Sequence, residues 1–176
     1  KMLKGKTVVL GVTGCIAAYK ACEIVSSLKK KGATVIVIMT PHSTEFVQPL
    51  SFETLSGNRV ITDLFDRDFD FEVEHVALAK RADVFVVAPA TANTIGKIAN
   101  GIADDMLTTT IMACKAPKII CPAMNTNMYE NENTTENIAR LKKQGYKIIE
   151  PISGRLACGD VGKGKMAEPE TIVKAI

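Results

Sequence analysis

The stretch from Thr7 to Met39 reads TVVLGVTGCIAAYKACEIVSSLKKKGATVIVIM. It opens and closes on continuous apolar runs, Thr7–Val12 (TVVLGV) and Thr34–Met39 (TVIVIM), rich in the β-branched residues of strands buried on both faces. Between them, Ile16–Lys31 reads as a helix with Ile16, Tyr19, Ile24, Val25 and Leu28 on its apolar side. It ends in the cationic turn Lys29–Lys31, followed by Gly32. Strand, helix and strand in such quick succession make a βαβ unit, whose two strands lie parallel and are joined by a right-handed crossover.

The same alternation continues outward. Val84–Ala88, Lys118–Cys121 and Tyr146–Ile149 read as further strands. Asp104–Ala113, Thr134–Gln144 and the closing stretch Glu168–Ile176 read as helices. The expected fold is a single domain, residues 1–176, of class α/β: a three-layer α/β/α sandwich on a parallel, Rossmann-like (flavodoxin-like) sheet. A chain of 176 residues, 47% hydrophobic and 23% charged, is long and apolar enough for a sizeable core and unlike a disordered chain. Its net charge of +3 is scattered and its aromatic content is 5%, which argues against a nucleic-acid partner. No apolar run approaches the roughly 20 residues that span a bilayer. The five cysteines are odd in number and form no Cys-x-x-Cys pair, a pattern that fits neither a disulfide framework nor a zinc site. The N-terminus enters the first strand with no leader ahead of it, so the expected setting is cytoplasmic.

Two segments break the alternation. Asp63–Glu74 (DLFDRDFDFEVE) alternates acidic residues with aromatic ones, and reads either as a locally packed edge or as a subunit contact. Ser153–Pro169 (SGRLACGDVGKGKMAEP) has four glycines and little apolar content, and reads as a long loop, either a functional lid or disordered.

Ligands of open parallel sheets bind at the carboxyl ends of the strands. The first such end is Gly11–Ile16 (GVTGCI), where a glycine turn enters a helix and can cradle a phosphate. After the second strand comes Met39-Thr40-Pro41-His42-Ser43, with no acid for a dinucleotide ribose, which favours a mononucleotide over NAD. The third and fourth ends, Pro89–Thr94 (PATANT) and Pro122–Tyr129 (PAMNTNMY), are small, polar and uncharged. Such loops suit a flat heteroaromatic ring with donors and acceptors, such as a flavin. Thr91, Asn93, Asn125 and Thr126 are equally apt as helix caps. His75 opens a helix-like stretch, and Cys158 lies in the glycine-rich segment away from any core strand. Together they offer an acid and a base.

GVTGCIAAYK, His75, PATANT, PAMNTNMY and Leu156–Pro169 (LACGDVGKGKMAEP) together resemble the homo-oligomeric flavin-containing cysteine decarboxylases, above all those acting on phosphopantothenoylcysteine in coenzyme A biosynthesis. The resemblance implies FMN held by Gly14, Cys15 and Ile16, by Ser43 and Phe46, and by Thr91, Ala92, Asn93, Thr94 and Ala123. It implies His75, Cys158 and Asn125 as catalytic residues, and Asn125, Met128, Ala157 and Lys163 as contacts to substrate. The implied reaction oxidises the cysteinyl carbon to a thioaldehyde, loses CO2, and reduces and protonates the resulting enethiolate. It implies trimers, or assemblies of trimers, with His75 meeting FMN across a subunit boundary. It also implies a longer natural protein continuing into a phosphopantothenate–cysteine ligase. Cys15 stands where Gly or Ser is common in this family, and Tyr129 where Trp is common. Peptidyl-cysteine decarboxylases and non-catalytic flavin-binding regulators share the fold and remain alternatives, and the His75, Met124-Asn125 and Cys158 set points to decarboxylation over a related flavin prenyltransferase.

Overall fold

Strand β1 (Thr7–Val12) pairs in parallel with β2 (Thr34–Met39) on one side and β3 (Val84–Ala90) on the other. Strands β4 (Lys118–Pro122) and β5 (Lys147–Ile148) extend the sheet, giving the order β2-β1-β3-β4-β5. The connections after β1 and β3 therefore leave in opposite directions, and a crevice opens between them. The computed structural model describes residues 2–65 and 74–176. Most of the aromatic–acidic segment Asp63–Glu74 lies outside the described residues, and so does its expected role.

Side-chain alternation along the strands divides the core in two. Val8, Leu10, Val12, Val35, Val37, Val86 and Ala88 pack against helices α1 (Ala21–Lys30), α2 (Pro49–Ser56) and α8 (Pro169–Ala175), through Ile24, Leu28, Phe52 and Ile172. Val9, Ile36, Ile38, Phe85, Val87 and Ile120 pack on the opposite face. There they meet α3 (Glu74–Arg81), α4 (Ala92–Ala99), α5 (Met106–Ala113) and α7 (Glu132–Lys143), through Leu78, Ile95, Leu107, Ile111 and Leu141. Each such fully buried Leu, Ile or Phe contributes roughly 1.5–3 kcal/mol. This is the expected α/β/α sandwich. Among the described residues no helix is long and apolar enough to cross a membrane.

The structure moves several expected boundaries. The helix expected over Ile16–Lys31 divides into a 3-10 segment, Ile16–Lys20, and α1 from Ala21. Ile16 and Tyr19 are about half exposed, at 55% and 54%, and so leave the core they were expected to join. The tighter 3-10 winding follows an extended Cys15 and turns Ala18, not Ile16, into the interior. Strand β3 runs two residues past Ala88, and β5 is shorter than the Tyr146–Ile149 expected. Helix α5 starts at Met106 because the Asp105 carboxylate accepts from the Thr108 N–H at 2.8 Å and closes a capping box.

The largest correction concerns residues 153–169, which do not form an irregular loop. Strands β6 (Ile152–Arg155) and β7 (Val161–Lys165) form an antiparallel hairpin around the turn Leu156–Asp160. Hydrophobic periodicity could not signal it, because nearly all its side chains are exposed or half-buried and little apolar surface shapes it.

Candidate active site

At the crevice between β1 and β3 lies a cleft of about 540 Å³, lined by Gly14, Cys15, Thr91, Ala92, Asn93, Thr94, Ala123, Asn125 and Met128, among others. Thr13 holds its floor. Its fully buried hydroxyl donates to the Pro89 carbonyl at 2.6 Å and accepts from the Thr91 N–H at 3.0 Å, tying the two strand ends together. Gly14 permits close approach, since a Cβ there would stand 2.6 Å from the Cβ of His42 on the facing wall. Thr91 caps α4, accepting from the Thr94 N–H at 3.2 Å, so the helix begins at the cleft.

The lining carries little free charge. The Lys97 ammonium pairs with Asp104 at 3.0 Å, and the second carboxylate, Asp105, is taken up in capping α5. Burial pushes the Cys15 thiol upward, which keeps it protonated and uncharged beside whatever anion the turn receives. Three expected cofactor contacts lie off this lining. Ser43 is fully buried, and its hydroxyl donates to the Thr40 carbonyl at 2.7 Å, bracing the wall from behind. Phe46 is half exposed. Ile16 belongs to a second cleft.

That second cleft, also about 540 Å³, is lined by Ile16, Tyr19, Lys20, Arg155, Ala157, Cys158, Lys165 and Met166, among others. It shares Cys15, Ala123, Met124 and Asn125 with the first, so these residues form a common wall. Lys20 and Lys165 stand 4.0 and 3.9 Å from the Glu168 carboxylate. Of the expected contacts to substrate, Ala157 lines this cleft, Asn125 stands in the common wall, and Met128 lines the first.

Asn125 and Cys158 come together although 33 residues separate them, with the Asn125 Nδ2 donating to the Cys158 Sγ at 3.6 Å. The Sγ in turn lies 3.5 Å from Asp160 Oδ2. Asn125 also caps the short helix α6 (Thr126–Glu130), its Oδ1 accepting from the Asn127 N–H at 2.8 Å. The capping oxygen is thereby committed, and the amide presents only its donor end to the cleft. Asn125 is thus both cap and site residue.

Two glycines bring the hairpin onto this loop. A Cβ at Gly162 would meet the Thr126 Oγ1 at 2.5 Å, and one at Gly164 would overlap the Met124 carbonyl oxygen. Gly164 also sits at φ +152, and its carbonyl accepts from the Met124 N–H at 3.0 Å. Sequence reasoning missed Thr13, Gly162 and Gly164 as parts of the site. The alternating Val161-Gly162-Lys163-Gly164 pattern was the available sign of a strand pressed against another backbone.

The remaining candidates stand elsewhere. His75 is half-buried in the first turn of α3 and lines neither of these clefts. Lys163 is turned to Glu150, at 3.3 Å, and to the Tyr129 ring, so the cations lining the second cleft are Lys20, Arg155 and Lys165.

A family model described as Flavoprotein matches residues 1–176. The chain belongs to the flavoprotein family. Within that family, it is 53% identical over 173 residues to the coenzyme A biosynthesis bifunctional protein CoaBC of Bacillus subtilis, covering 98% of this chain and 43% of that protein. It is 47% identical to a protein of Streptococcus mutans named "Probable phosphopantothenoylcysteine decarboxylase", covering 97% of each chain. This flavoprotein thus spans less than half the length of its bifunctional relative. Two solved structures share its fold at a TM-score of 0.84. One is a cysteine-to-serine variant of PPC decarboxylase complexed with pantothenoylaminoethenethiol, 35% identical and covering 97% of this chain and 95% of that one. The other is the FMN-dependent cysteine decarboxylase SpaF, 31% identical and covering 98% and 96%.

Proposed function

We infer that this chain catalyses the FMN-dependent decarboxylation of 4'-phosphopantothenoylcysteine to 4'-phosphopantetheine, in the cytoplasm, as a step of coenzyme A biosynthesis. The observation that carries this reading is the meeting of Asn125 and Cys158, 3.6 Å apart, on the boundary between a neutral cleft and a cationic one. The neutral cleft fits FMN. Gly14 and Cys15 bring the turn to the cleft edge, α4 begins at the cleft, and Asn93, Thr94 and Ala123 offer uncharged surface to a flat ring. When bound, FMN supplies reversible two-electron chemistry at the carbon that bears sulfur, so that the carboxylate can leave with an electron sink in place.

The chain's own groups then bind, orient and protonate. Lys20, Arg155 and Lys165 give the second cleft positive charge suited to the phosphorylated end of the substrate, and Ile16, Tyr19, Leu156 and Met166 line it with apolar surface. The Asn125 Nδ2 donates to the substrate carboxylate without the full positive charge that would favour the starting acid. The Cys158 S–H, on the hairpin turn, donates the last proton to the enethiolate carbon, and the hairpin screens that carbon from water.

His75 acts in the oxidation step, as base or by placing the substrate, at the cleft of a neighbouring copy within a trimer. Its absence from the lining of both clefts supports this, as does the half-exposed Phe46, which lines neither cleft. In the bifunctional arrangement, a ligase domain supplies the cysteinyl substrate.

The test is CO2 release from phosphopantothenoylcysteine by the yellow, flavin-loaded protein. Cys158→Ala is expected to release CO2 yet accumulate the oxidised enethiol. Failure of the intact holoprotein to release CO2 overturns the reading. Equal turnover of a cysteine-ended peptide would replace the substrate.

A further inference from the structure

Away from both clefts, the Glu150 carboxylate gathers three donors from three elements. It accepts from the Tyr129 hydroxyl on α6 at 2.7 Å, from Lys142 on α7 at 3.0 Å and from Lys163 on β7 at 3.3 Å. The Lys163 ammonium also lies 5.6 Å from the centre of the Tyr129 ring. Glu150 itself sits between β5 and β6, at the root of the hairpin. One carboxylate therefore joins the entry strand side, the returning strand of the hairpin and the short helix capped by Asn125.

The interface that this node closes is weak by itself. The hairpin docks through glycines, one backbone hydrogen bond from the Met124 N–H to the Gly164 carbonyl, and the long Asn125 Nδ2–Cys158 Sγ contact. Beneath it, the Thr126 hydroxyl is the one buried side-chain polar atom without a hydrogen-bond partner among the described residues, and burying it opposes docking. Ile152 and Val161 expose 37% and 80% of their surface, so little apolar burial within the two strands compensates, and the buried Met166 anchors only the end of β7. A single surface ion pair would add little. Three convergent donors, one of them a hydroxyl held at 2.7 Å, make a charge-assisted network.

We propose that Glu150, with Tyr129 and Lys163, is a positioning latch that holds the hairpin on the Met124–Met128 loop and so keeps Cys158 beside Asn125. The residues touch neither cofactor cleft nor substrate cleft as a group and act through the hairpin. For its effect on catalysis the proposal rests on the decarboxylase reading. For its effect on hairpin docking it does not.

The experiment uses the flavin-loaded protein and the variants Glu150→Ala, Tyr129→Phe and Tyr129→Trp. Hydrogen exchange of peptides covering 122–128 and 152–165 is expected to quicken about tenfold in Glu150→Ala, the loss of one charge-assisted contact, while β1 and α5 exchange as before. Tyr129→Phe should show a smaller rise, and Tyr129→Trp, whose indole N–H can donate to Glu150, should restore protection. In turnover, Glu150→Ala should shift product from 4'-phosphopantetheine toward released enethiol, with CO2 release nearly unchanged. Exchange in Glu150→Ala equal to that of the parent protein in both peptides overturns the latch. So does faster exchange throughout the molecule, which marks a general loss of stability. If the parent protein releases no CO2, the decarboxylase reading fails, while the exchange result still decides the latch.

Discussion

The two clefts meet at Asn125 and are built in opposite ways. The first stands at the ends of buried strands and is stitched by Thr13, which is fully buried and bonded to both Pro89 and Thr91. The second is closed by a hairpin whose strands are largely exposed, held by glycine contacts and by charged groups at the surface. A cofactor that stays bound through many turnovers needs a rigid seat, and core packing provides one. A substrate that enters and leaves needs a cover whose attachment is small compared with the stability of the fold, which surface polar contacts supply.

The comparison can be broken at either side. Gly14→Ala has the largest expected effect. The added Cβ meets His42 at 2.6 Å, and overpacking of this kind costs about 1–3 kcal/mol, which corresponds to about five- to 150-fold in FMN affinity where the turn shifts to relieve it. Purified protein should lose its yellow colour while keeping its circular dichroism. Thr13→Val comes next. It removes both hydrogen bonds of that hydroxyl and orphans the Thr91 N–H, lowering stability by about 1–3 kcal/mol in denaturant unfolding, with hairpin exchange unchanged relative to the rest of the molecule.

The smallest effect is that of acid on the second cleft. The Tyr129 hydroxyl, followed by Lys142, holds the Glu150 carboxyl down at about 2, below its ordinary 4.5, despite a smaller opposing contribution from burial. A depressed acid stabilises the folded form fully above its unfolded value. That contribution is lost as pH falls from 4.5 through about 2. Burial, with Glu150 second, pushes the Tyr129 hydroxyl upward, so it stays a donor across this range. The amide shifts of Gly162 and Gly164 should move further between pH 5 and pH 2 in the parent protein than in Glu150→Gln. Shifts that move alike in both would remove Glu150 from the account.

The asymmetry between the clefts also explains what could be read in advance. The sheet was legible because Val8–Val12, Thr34–Met39 and Val84–Ala88 are continuous apolar runs whose burial is decided by composition alone. The crevice followed from the small polar residues after those runs. The hairpin was hidden because Ile152–Arg155 and Val161–Lys165 bury almost nothing, and their pairing depends on what the glycines allow to approach. Ile16 and Tyr19 fitted the helical period yet left the core, since a 3-10 start rotates them out. The Glu150 node joins residues 129, 142, 150 and 163, a long-range coincidence of surface side chains that no local pattern encodes.

One consequence of the Asn125 cap concerns how the reaction ends. Because its oxygen is fixed on the Asn127 N–H, the amide cannot turn over to suit whatever stands before it. In the proposed reaction its free N–H group faces a carboxylate before chemistry and a plain carbon chain afterwards. The product therefore leaves that donor without a partner, and water returning to it helps the product to leave. A group that grips only the part of the molecule destined to depart gives the site a built-in preference for letting go.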